Sequence, residues 1–113
     1  MFVLNKHLDV DTYYLALPLN CRLIGAQSVI DTEALTGADG TITFSDGTTD
    51  IGTITVTQSG SAEGEVDSIT FDTTSEGKVA LGPSTPLKIV LAGNTNGEVE
   101  VTMVFDEFHA AAT

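Results

Sequence analysis

The sequence predicts an all-β domain, a β-sandwich or jelly roll of about eight antiparallel strands. Three observations carry that prediction. Apolar and polar residues alternate, most clearly where Val99, Val101, Met103 and Phe105 fall on one side and Glu98, Glu100 and Thr102 on the other. A period of two marks a strand buried on one face. Gly, Asp and Asn separate the alternating runs, as turns require. Threonine fills outward positions such as Thr53, Thr55 and Thr57, where its branched Cβ suits an exposed strand face.

The elements follow in order. Residues 2–10 alternate, with Phe2, Leu4, Leu8 and Val10 on one side and Val3, Asn5, His7 and Asp9 on the other. Lys6 falls on the apolar side and marks an edge or a snorkelling stem. Residues 13–19 form a second run through Tyr13, Leu15, Leu17 and Leu19, and Pro18 makes that strand an edge or ends it. Residues 21–30 are extended, with Gly25 as the site of a bulge. Asp31 to Gly40 is a break, in which Asp31 or Thr32 can cap one helical turn. Residues 41–45 and 52–58 are strands joined through the turn dipeptide Asp46-Gly47. The small polar tract 59–64 is a loop, and 65–71 is extended again. Val79 and Leu81 make a short strand; Leu87, Ile89 and Leu91 make another, and residues 94–97 turn it as a hairpin into the last strand. The whole, 1–113, reads as one domain, with 1–10 as an N-terminal strand or arm and 107–113 as a tail expected to fray.

Charge and composition exclude several functions. Sixteen acidic residues face four basic ones, for a net charge of -12. Such a field repels phosphate backbones, so no nucleic-acid partner is expected. The apolar start of the chain is too short for a signal peptide or a membrane span, so no membrane partner is expected and the protein is expected to be made in the cytoplasm. A single cysteine, Cys21, rules out an internal disulfide and reads as a small buried hydrophobe.

Motifs for chemistry are sparse. His7 and His109 stand near opposite ends of the sequence, without a nucleophile motif such as G-x-S-x-G. One cysteine and two histidines fall short of a structural zinc set. The acid-bearing loops at Asp9 and Asp11, at Asp31, Glu33 and Asp39, and at Asp46 and Asp50 offer oxygen ligands, but none follows the EF-hand pattern. Asp and Gly in β-turns account for them without an ion. No enzyme activity, no metal and no cofactor are therefore expected. A sugar platform would rest on Tyr13 and Tyr14 alone, since the chain has no Trp.

The segment Gly60-Ser61-Ala62-Glu63-Gly64-Glu65-Val66-Asp67-Ser68 is the most distinctive. It follows a Thr-Ile-Thr-Val-Thr strand and precedes a Gly-Pro step, an apolar strand, a Gly-Asn turn and Val-x-Val-x-Met-Val-Phe. Over residues 21–106 this order resembles the head decoration, or cement, proteins of bacteriophages. Gly82-Pro83 stands where many of them carry Gly-Asp. The resemblance implies a sandwich or jelly-roll subunit, usually a homotrimer, that adds no reaction. It implies a place on the outer capsid surface of the virion, where the subunit binds the major capsid protein and ties neighbouring shell subunits together.

For such a role the candidate self- or capsid-contact residues are Phe2, Leu4, Lys6, Arg22 and Phe108. The first three lie on the N-terminal strand and Phe108 lies in the tail. Removing residues 1–10 is expected to weaken assembly more than folding. The alternative function is a carbohydrate- or receptor-binding sandwich of a fibre or adhesin, which requires exposed aromatic side chains along a groove or loop tip.

Overall fold

The computed structural model describes residues 1–31, 34–58, 62, 64–72 and 79–107. Its strands are β1 (Phe2–Leu8), β2 (Thr12–Leu15), β3 (Cys21–Ile30), β4 (Gly40–Ser45), β5 (Asp50–Val56), β6 (Val66–Ser68), β7 (Thr70–Phe71), β8 (Leu87–Ala92) and β9 (Val99–Glu107). Among the described residues there is no helix. Two antiparallel sheets pack as a β-sandwich. The first, sheet A, has the order β1-β9-β3-β6; the second, sheet B, has the order β2-β8-β4-β5-β7.

Alternation builds the core directly. On β9 the side chains of Val99, Val101, Met103 and Phe105 are fully buried, and their alternate neighbours face out. Ile42 and Phe44 of β4, Ile54 and Val56 of β5, and Leu87, Ile89 and Leu91 of β8 close the core from sheet B. Each such side chain contributes roughly 1.5–3 kcal/mol on burial. Cys21 is among the core residues, completely buried and unpaired by a disulfide.

Several local expectations are refined. The bulge stands at Ile24, where the β3–β9 register slips between Leu23, opposite Phe105, and Gly25, opposite Val104. β2 ends at Leu15 and lies at the edge of sheet B, as a following Pro18 allows. Leu17 is buried, but Leu19 is exposed, because the chain has left the ladder before it reaches Pro18. Asp31 and residues 34–40 form no helical turn; Thr36 instead bridges Asn96. Thr32 and Glu33 lie outside the described residues, as does most of 59–64.

One extended run divides between the sheets, and one expectation about connection fails. The run 65–71 is two short strands: β6 pairs with β3 in sheet A, and β7 pairs with β5 in sheet B. The chain changes sheets at Ile69, whose amide donates to the Ala26 carbonyl. Residues 94–97 do not close a hairpin. β8 pairs with β2 and β4, and β9 pairs with β1 and β3, so this turn carries the chain from one sheet to the other. Leu81 makes only an isolated bridge to Cys21 in place of a strand. Glu107 belongs to β9 and not to a frayed tail, while 108–113, with Phe108 and His109, lie outside the described residues.

Candidate functional site

Pairing lays out the outer face of sheet A in cross-strand rows. Val3 stands opposite Val104, which stands opposite the Ile24–Gly25 bulge. The next row is uncharged: Asn5, Thr102, Gln27 and Ser68. The row after that holds His7, Glu100, Val29 and Val66. Single exposed apolar residues are ordinary; the first row puts three together. Val3 is 54% exposed, Ile24 36%, and Val104 half-buried between them. At the bulge two consecutive residues, Ile24 and Gly25, face outward between the inward Leu23 and Ala26, which broadens this row.

Of the predicted contact residues, Phe2, Leu4 and Lys6 fall elsewhere, Arg22 lies beside this row, and Phe108 is outside the described residues. Phe2 and Leu4 point inward and are half-buried against the core, and Phe2 stacks on Phe105. The Lys6 ammonium lies 5.2 Å from the centroid of the Tyr13 ring, a cation–π contact that spans the two sheets at their shared edge. Arg22 donates to Asp106 at 3.0 Å beside the apolar row. Thus β1 brings Phe2, Leu4 and Lys6 to one face, but that face is the inner one. The sequence places Val3 on the polar side of β1 and Ile24 within the extended run 21–30. The signal that would have joined them is the β1–β9–β3 adjacency, which no local pattern encodes.

At the far end of the same face, His7 gathers acidic groups from three other segments. Its Nε2 lies 2.6 Å from Glu98 and its Nδ1 lies 3.2 Å from Glu100 and 4.0 Å from Asp31. Donor atoms of His7, Asp9 and Glu98 also fall within 4.8 Å of one another. The hydrogen bond to Glu98 holds the imidazole above its usual 6.5; Glu100 adds to this and partial burial opposes it. A neutral imidazole has one N–H to donate, whereas imidazolium donates from both nitrogens. A protonated ring therefore accounts for the grouping, and it is not assigned as a metal centre. Beside it, Asp9, Val10, Thr95, Asn96, Gly97 and Glu98 rim a shallow open depression of about 350 Å³.

In the other acidic loops, backbone amides donate to Asp46, Asp39 and Asp11. Asp46 Oδ1 accepts from the amides of Thr48 and Thr49 at 2.8 and 2.6 Å. Asp39 Oδ1 accepts from the Gln58 amide, and Asp11 Oδ1 from the Thr12 amide. Of the two tyrosines, Tyr13 is half-buried and its hydroxyl oxygen accepts from the Asp9 amide, while Tyr14 is 64% exposed on edge strand β2. In comparisons with protein-family models, curated proteins and solved structures, nothing matches this chain.

Proposed function

We propose that this protein is a structural virion component: a head decoration subunit that binds the outer surface of the capsid shell and reinforces contacts between major capsid proteins. The observation that carries the reading is the apolar row Val3–Val104–Ile24, an exposed patch on an otherwise highly acidic protein. Protein interfaces are depleted of charge at their centre, with a polar rim. Here the uncharged Asn5–Thr102–Gln27 row and the Arg22–Asp106 pair supply that rim.

Topology supports the same reading. Consecutive strands pass repeatedly between the sheets, giving β1-β9-β3-β6 against β2-β8-β4-β5-β7. That exchange favours the jelly-roll form of the sandwich, an architecture used by capsid and lectin domains. A trimer arranged about the open edge of β1 is the expected assembly, in solution or on the shell. A glycan-binding module is the second reading, and it rests on the exposed Tyr14 ring.

The test is loading of purified protein onto shells of its major capsid protein, measured by co-sedimentation. Val3→Glu and Ile24→Glu are expected to weaken loading at least about tenfold, equivalent to about 1.4 kcal/mol, while leaving thermal stability intact. Tyr14→Ala should load normally. Failure of the wild-type protein to bind shells, together with a glycan-array signal lost in Tyr14→Ala, would replace this reading with the second one.

A further inference from the structure

We infer that His7 is a proton-controlled latch that fastens the C-terminal end of edge strand β1 to β9 and to the segment leading into it. The inference stands apart from the capsid reading and needs no partner. Among the described residues β1 pairs with β9 alone, and no strand pairs with its other edge. Edge elements with a single partner open most readily. Near its end, beside Leu8, β1 presents His7 outward, opposite Glu100 in the β1–β9 register.

Among the described residues, every charged group facing the imidazole is a carboxylate. Glu100 comes from β9, Glu98 from the segment before it, Asp31 from just beyond β3, and Asp9 from just beyond β1. Lys6 cannot balance them, because it points to the opposite face of β1, over Tyr13. With a proton on each nitrogen, the ring donates to Glu98 and to Glu100 and neutralises part of the surrounding charge. With one proton lost, a nitrogen lone pair faces a carboxylate oxygen and four like charges crowd together unbalanced. The ring must turn or the carboxylates must retreat. The Asp31 amide also donates to the Glu98 carbonyl, so a shift of Glu98 reaches both the end of β3 and the rim of the neighbouring depression.

The sign follows from the neighbours. Carboxylates favour the charged ring in the folded protein, so the latch is closed below the unfolded value of 6.5 and opens as pH rises through the higher folded value. The side chain is 42% exposed, which keeps the effect on the scale of a surface ion pair.

The experiment is a proton NMR titration of the ring, with its resonance assigned by loss in His7→Gln, combined with amide protection of β1 at about pH 6 and about pH 8.5. His7 is expected to titrate above 6.5. Protection within Phe2–Leu8 is expected to fall about two- to fivefold on going to the higher pH, relative to central strand β4. Glu98→Gln combined with Glu100→Gln should lower the titration point and remove the pH response. His7→Lys, a permanent cation, should keep β1 protected at the higher pH. A ring that titrates at or below 6.5, or a pH response of β1 that persists unchanged in His7→Gln, overturns the latch.

Discussion

The rings of Phe2 and Phe105 stack with centroids 5.1 Å apart and planes inclined by 17°. Phe105 is fully buried and Phe2 half-buried, so the pair plugs one end of the sandwich and joins β1 to the core at the point where their register pairs them. β1 also contributes the completely buried Leu8. It is a working strand of sheet A, and removing residues 1–10 strips core contacts as well as a surface.

Replacing Phe2 with alanine is expected to cost about 2 kcal/mol, part area loss and part lost stacking. Phe105→Ala, from a fully enclosed site, is expected to cost about 3–5 kcal/mol. Urea unfolding of the two variants measures the difference. Equal losses would mean that Phe2 packs more deeply than its half-exposed ring indicates.

Two glycines with positive φ separate backbone strain from crowding. Gly47 has φ +99 and nothing within 4 Å of an added Cβ. Gly97 has φ +134, and an added Cβ would lie 2.8 Å from Leu35 Cα. Gly47→Ala is expected to cost about 1 kcal/mol, from the left-handed conformation alone. Gly97→Ala should cost distinctly more, because backbone must move as well. Thermal melts of both variants check the ranking.

Asp46 predicts a loss of stability in acid. Amides of Thr49 and Thr48 donate to its carboxylate and hold it below its ordinary 3.8. A group with a depressed folded value contributes stability that is complete above the unfolded value and is lost as pH falls through the folded one. Asp46→Asn keeps an acceptor for the turn and removes the charge. The variant should therefore show a shallower decline in melting temperature below about pH 4 than the wild type.

Cys21 should be inert in the folded protein. Burial raises its thiol pKa, and nearby Glu107 raises it further. Thiolate is the reactive form, so a thiol-specific disulfide reagent is expected to label Cys21 only at the rate of unfolding. Labelling that outpaces unfolding would show access to the β3–β9 end of the core.

Much of the fold was legible because alternation is a local signal. The strand runs at Cys21–Ile30, Gly40–Ser45, Leu87–Ala92 and Val99–Glu107 follow from it, as do the Asp46 turn and the bulge beside Gly25. Pairing was not legible. Nothing near Ile69 says that the chain changes sheets there, and Asn94–Gly97 has the composition of a hairpin while serving as a crossing between sheets. The surface groupings depend on pairing and were missed for that reason. Val3 meets Val104, and His7 meets Glu100, only through the β1–β9 register. A histidine outward on one strand and alternating glutamates outward on another were the available signals; only the register connects them.

The central position of β9 has a kinetic consequence. Among the described residues β1 has no partner until β9 arrives and β3 has only the three-residue β6, since β1 and β3 touch β9 and not each other. Each of those pairings joins segments far apart in sequence, as Phe2 with Phe105 and Cys21 with Glu107 illustrate. Closing such long loops precedes the contacts that reward it, which puts folding in the millisecond-to-second regime of non-local β proteins. During synthesis the unpaired edges of β1 and β3 wait for a strand that emerges after them. That interval is when the chain is most open to association with other nascent copies.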